Sequence, residues 1–160
     1  MLDYKIKNAN IVDGSGKPAY RGTVGIRDGK LTFHTDEDAR EELEAEGLFL
    51  CPGFIDSHSH SDRYIGTDPE IISLCKISQG ITTEVTGQCG SALFPVPPTR
   101  REQMRDYFTE DMNQEQLDNV TRFQTFSSYL DYVREQKLAV NFAFLQGHST
   151  LRLAVMGYEN

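Results

Sequence analysis

The sequence predicts an α/β protein, with a strand-rich opening followed by alternating strands and helices. Three observations lead there. Residues 1–51 hold short apolar runs separated by dense turn signals. Residues 52–160 alternate β-branched or apolar runs with stretches of helical periodicity, the pattern of a parallel α/β architecture. Each cluster of chemically capable side chains follows directly on a strand candidate, as in parallel folds whose reactive groups sit at the strands' carboxyl ends. The reading divides the chain into two parts, 1–51 and 52–160.

In the first part, Tyr4-Lys5-Ile6-Lys7 alternates, Ala9-Asn10-Ile11-Val12 follows, and Asp13 to Pro18 is a turn. Thr23 to Ile26 is a strand closed by Asp28-Gly29, a favoured hairpin dipeptide leading into Lys30 to Phe33. The acidic stretch Asp36 to Glu46 reads as a solvated loop or short helix, and Gly47 to Leu50 returns to strand. In the second part, Phe54 to Ser57 is the first strand. Asp68-Pro69-Glu70 starts a helix whose apolar face is Ile71, Ile72, Leu74, Cys75 and Ile77, with Gly80 as its cap. Ile81 to Thr86 is the second strand, Arg100 to Tyr107 begins a polar helix, and Phe126, Tyr129, Leu130 and Val133 mark another. Leu138 to Leu145 is a third buried parallel strand.

Composition excludes several classes of function. With 38% hydrophobic and 25% charged residues the chain is an ordinary globular one. A net charge of -8 argues against sequence-independent binding to nucleic acid or an anionic membrane, which both require a cationic face. No apolar run approaches membrane-spanning length, and the start lacks the apolar stretch of a secretory signal, so a cytoplasmic location is expected. Three cysteines, Cys51, Cys75 and Cys89, make no disulfide framework and suit a reducing compartment.

The sharpest motif is Pro52-Gly53-Phe54-Ile55-Asp56-Ser57-His58-Ser59-His60-Ser61-Asp62. Imidazoles two apart on a strand point the same way and can hold one zinc-type ion. Asp62 shares their parity if the strand continues; it then orients a ligand, or else is a solvated loop carboxylate. Cys89 stands in Thr86-Gly87-Gln88-Cys89-Gly90 after the second strand. It is either a small buried hydrophobe or a thiolate ligand, with flanking glycines that let the backbone approach a crowded site. Cys75 and Cys51 read as structural. Gly147-His148-Ser149-Thr150-Leu151-Arg152 follows the third strand; Arg152 either meets a substrate carboxylate or caps a following helix. No Gly-X-Ser-X-Gly elbow and no phosphate-binding glycine loop occurs.

Together with Ile11-Val12-Asp13-Gly14-Ser15-Gly16, these segments resemble the metal-dependent amidohydrolase superfamily. The run Gly80 to Gly90, ending Thr-Gly-Gln-Cys-Gly, resembles its N-acyl-D-amino-acid deacylase (D-aminoacylase) branch. The resemblance implies a (β/α)8 barrel with a small β-sandwich built from both chain ends. This chain would carry sandwich strands and about the first three strand–helix units. It implies hydrolysis of the linear amide of an N-acyl-D-amino acid, a small-molecule substrate, with one or two zinc ions in the complete enzyme. His58, His60 and Cys89 are the implied metal ligands; Asp62, His148 and Arg152 are candidate substrate or supporting residues by their positions in the sequence. Two further histidines and the general-base aspartate of the family lie on later strands. A complete barrel needs about 250 residues, so the chain is expected to be the catalytically incomplete amino-terminal portion of an enzyme. A cyclic-amide hydrolase of the dihydropyrimidinase or dihydroorotase kind, or an inactive chain serving as an interaction module, are the alternatives.

Overall fold

The structure, a computed structural model, describes residues 1–158. It divides into two compact units, Met1–Pro52 and the chain from Gly53 onward.

The first unit is one sheet. Strand β1 (Leu2–Ile11) lies at its centre, antiparallel to β2 (Tyr20–Arg27) and parallel to β4 (Ala39–Glu44), while β3 (Lys30–Thr32) extends β2. The short β5 (Phe49–Leu50) pairs in parallel with the end of β1. The two strands expected at Tyr4 and Ala9 are one, broken by a bulge between Ile6 and Ala9 at which Asn8 takes a positive φ of 61°. Asp28 and Gly29 both take positive φ, 51° and 71°, as a tight hairpin with this right-handed twist requires. The acidic stretch is neither loop nor helix but strand β4. Its carboxylates face lysines on β1 at bonding distance, Glu42 lying 2.9 Å from Lys7 and 3.6 Å from Lys5, so complementary charge replaces apolar alternation at this sheet edge. Ala9, Ile11, Val24 and Ala45 form the small core.

The second unit is a parallel sheet in the order β6 (Phe54–Asp56), β7 (Ile81–Thr86), β8 (Asn141–Phe144). Between β6 and β7 come a 3-10 turn at Ser61–Tyr64, the short α1 (Pro69–Ile72) and a π-helical turn at Ser73–Ile77. The single regular helix expected there is thus widened midway. Ile72 remains buried, whereas Leu74, Cys75 and Ile77 turn outward, so the expected apolar face is only half realised. Helices α2 (Arg101–Phe108), α3 (Gln114–Val120) and α4 (Phe126–Glu135) lie between β7 and β8, and α5 (His148–Met156) follows β8. Asn113 and Thr125 cap α3 and α4, each in a reciprocal box with the residue three along, Gln116 and Ser128. Register pairs Glu84 with Phe142 and Thr86 with Phe144, so these residues share the sheet face that packs on the helices. Tyr129 of α4 stacks among Phe94, Phe123 and Phe144 in the larger core. Among the described residues no helix is long and apolar enough to cross a membrane.

Candidate metal centre

His58, His60 and Cys89 come together at the carboxyl ends of β6 and β7, their candidate ligand atoms all within 4.8 Å of one another. Strand β6 ends at Asp56, so the two histidines lie in the loop beyond it and their convergence does not come from strand alternation. It comes from the pinning of that loop. The His58 N–H donates to Asp56 Oδ1 at 3.1 Å, and the Ser59 N–H donates to the Val85 carbonyl of β7 at 3.0 Å. The rings sit edge to face with centroids 5.7 Å apart.

Cys89 reaches the same place through an unusual turn. Gly87, Cys89 and Gly90 all have positive φ, 82°, 55° and 76°. The two glycines take that conformation freely, whereas at Cys89 it must be held by its surroundings. Two things hold it. Gln88 Nε2 donates to the Ser57 carbonyl at 2.8 Å, tying the turn to the histidine loop. Thr150, fully buried at the start of α5, accepts from Ala92 N at 2.8 Å and donates to Ala92 O at 2.9 Å, while its own N–H reaches Gly90 O at 3.1 Å. The result brings Cys89 Sγ to 3.1 Å from His58 Nε2.

The donor set fits a zinc-type ion. Two imidazoles and a thiolate around a tetrahedral ion, at bond lengths of about 2.0–2.3 Å, stand about 3.5 Å apart, and the observed spacings bracket that figure with small side-chain adjustments. Burial, aided by the nearby Arg63 and His58 charges and opposed by Asp111, lowers the pKa of His60 and keeps the ring in the neutral, metal-binding form.

The other expected site residues lie apart from the three. The chain turns into a 3-10 segment at Ser61, so Asp62 does not share the histidines' face; it is buried, with only 5% of its surface exposed. Burial raises its carboxyl pKa to about 7, against the opposing field of Arg63. The same burial, with the Asp62 charge, raises the Tyr129 hydroxyl well above its ordinary value. His148 is the exposed first residue of α5. Arg152, one turn further, rests on Met156 and lines a shallow recess with Tyr107, Ser149 and Tyr158. Cys51 and Cys75 are exposed free thiols rather than core residues.

Sequence reasoning passed over a polar network beneath the histidines. Lys76 Nζ lies 2.7 Å from Asp56 Oδ2, 3.1 Å from Ser59 Oγ and 3.4 Å from Glu84 Oε2. Ser61 Oγ donates to that same Glu84 oxygen, and Glu84 is fully buried. Burial works against the Lys76 charge, but its bond to Asp56 and the carboxylate fields outweigh this and raise its pKa. The Lys76 bond, with the His58 N–H, lowers that of Asp56. The available signal was Glu84 itself, since a carboxylate in the middle of a β-branched parallel strand demands a buried partner.

No protein-family model matches the chain. It is 40% identical over 157 residues to the N-acyl-D-aspartate deacylase of Alcaligenes xylosoxydans xylosoxydans, covering 96% of this chain and 30% of that protein. It superposes with TM-score 0.77 and 36% identity on a D-aminoacylase solved to define the role of its binuclear metal centre, covering 98% of this chain and 32% of the other. The N-acyl-D-glutamate deacylase of Bordetella bronchiseptica, solved with zinc and a phosphonate mimic of the tetrahedral intermediate, matches with TM-score 0.75 and 34% identity over 97% of this chain and 31% of that one. The fold and sequence thus relate the chain to the amidohydrolases. Within them, nearly its whole length corresponds to the amino-terminal portion of the D-aminoacylase type, and it spans about a third of the length of the relatives it matches.

Proposed function

We propose that the whole protein to which these residues belong is a metal-dependent amidohydrolase that releases free D-amino acids from their N-acyl derivatives. His58, His60 and Cys89 contribute ligands to its metal centre. The observation that carries this is the convergence of two imidazoles and one thiol within 4.8 Å at the carboxyl ends of adjacent parallel strands. It is supported by 40% identity to a deacylase acting on N-acyl-D-aspartate. In this reading the parallel sheet β6-β7-β8 is the opening of a barrel and β1 to β5 belong to a sandwich.

A bound zinc ion supplies Lewis acidity and a more acidic water. The chain's own residues create the place for it. The neutral His60 ring presents a lone pair without first losing a proton. Cys89, held by Gln88 and Thr150, supplies the negative charge that keeps a divalent cation in place. In this reading the general-base aspartate and the remaining histidine ligands belong to the part of the whole protein outside these 160 residues. The net charge of -8 disfavours nucleic acid and anionic membrane as partners and leaves a small-molecule substrate as the reading.

The test is hydrolysis of N-acetyl-D-amino acids by the whole protein, before and after zinc removal. Zinc-dependent release of the D-amino acid supports the reading. Activity confined to cyclic amides, or equal activity on L-enantiomers, overturns the substrate assignment.

A further inference from the structure

Resting on the metal-centre reading, we propose that Lys76 is a positioning residue for the two imidazoles, acting through the loop that carries them. An ammonium group has three donors. Lys76 donates to Asp56 at the end of β6 and to Ser59 between the two histidines, and pairs at 3.4 Å with the Glu84 carboxylate in the middle of β7, so it meets three acceptor groups on different parts of the site. From each acceptor a second bond runs on toward the histidine loop. Asp56 takes the His58 N–H, Ser59 Oγ takes the Ser61 N–H at 3.3 Å, and Glu84 takes the Ser61 hydroxyl. The backbone before His58, between the histidines and after His60 is therefore fixed from one ammonium group.

The energetics favour a positioning role over a stabilising one. Glu84 is fully buried and its Oε1 has no hydrogen-bond partner among the described residues, while the Lys76 side chain keeps 17% exposure. A buried ion pair of this kind is commonly no more stable than apolar residues of the same volume. Its value lies in the geometry that it imposes. The π-helical turn at Ser73–Ile77 carries Lys76 into this position, turning it inward while its neighbours Leu74 and Cys75 face out.

The test compares Lys76→Met, Lys76→Met/Glu84→Met and Asp56→Asn in the whole protein. It measures zinc affinity by chelator competition and thermal unfolding of the metal-free form. The double variant replaces the ion pair by apolar volume and should recover the stability lost in Lys76→Met. Its zinc affinity should still fall on the order of 10–100-fold, the usual cost of losing a residue that orients metal ligands. Asp56→Asn leaves Lys76 and Glu84 paired and should lose affinity on the same scale. The absorption spectrum of the cobalt-substituted variants should change with it.

Parental zinc affinity in a folded Lys76→Met/Glu84→Met protein, or in Asp56→Asn, overturns the proposal. His58→Ala and Cys89→Ser separate the two levels of inference. If they lose zinc and the Lys76 and Asp56 variants do not, only the positioning role falls. If they too keep zinc, the metal centre itself is misplaced.

Discussion

Replacing Gly87 by alanine should damage both the fold and the metal centre, by an amount the geometry bounds. Gly87 directly follows β7 with φ of 82°, and a Cβ there would lie 2.0 Å from the Leu145 carbonyl oxygen and 2.7 Å from its carbon. Both atoms are backbone, so no rotamer change relieves the contact. An L-residue at positive φ costs roughly 1–2 kcal/mol. Parting the strand ends enough to admit the methyl group strains the 2.9 Å bond from Leu145 N to Thr86 O, a loss of about 1 kcal/mol, and adds overpacking of about 1–3 kcal/mol. The sum is about 3–6 kcal/mol. Gly80, at the other end of the same strand, provides the control. Its φ is 77° but the nearest atom to an added Cβ is the Phe54 ring edge at 3.4 Å, an ordinary contact. Gly80→Ala should therefore cost only about 1–2 kcal/mol. Denaturant unfolding of the metal-free variants, read beside their zinc content, measures both effects. Equal stabilities for the two variants would refute the close approach of Gly87 to β8, and with it the path that delivers Cys89.

Three other outcomes are expected of the same molecule. Thr150→Val removes both bonds to Ala92 while keeping the side-chain shape, leaving a buried N–H unpaired; a loss of roughly 1–3 kcal/mol and weaker zinc binding are expected, measured by unfolding and chelator competition. Asp62→Asn should stabilise the metal-free protein in a pH-dependent way. The folded pKa of about 7 lies above the ordinary 3.8, so ionising Asp62 opposes folding; the cost is absent in acid, grows as pH rises through this interval and is complete above it. The substitution removes up to about 4 kcal/mol of that cost above pH about 8 and nothing below pH about 3, so unfolding curves at the two extremes should diverge for the parent and converge for the variant. Cys89→Ala should abolish zinc-dependent deacylation in the whole protein without lowering the unfolding temperature of its metal-free form by more than a few degrees, since the thiol is exposed and packs little surface.

Local chemistry made much of this fold legible. The β-branched run Ile81 to Thr86 is a strand over the same residues, and Asp28-Gly29 makes the expected hairpin. Helices α2 and α4 begin within one residue of their expected starts. Where reading failed, the cause was an interaction distant in sequence. The acidic stretch became β4 because lysines on β1, more than thirty residues earlier, complement it. Asp62 left the histidine face because Ser61 begins a turn that no residue pattern announced. Helix α3 was passed over although Asn113 and Gln116 spell its capping box, for its seven residues carry only two buried apolar side chains, Leu117 and Val120. The converging residues His58, His60 and Cys89 were legible as a motif, whereas Thr150 and Lys76 were not, because a fastening residue has meaning only once its acceptors are in place.

Zinc-edge X-ray absorption of the whole protein, compared with its Cys89→Ser variant, asks most directly whether the three side chains share an ion. One sulfur scatterer at about 2.3 Å beside nitrogen or oxygen ligands at about 2.0–2.2 Å, with the sulfur shell lost in the variant, is the expected result. A first shell of nitrogen and oxygen alone in the parent, or a sulfur shell that survives the substitution, would contradict it.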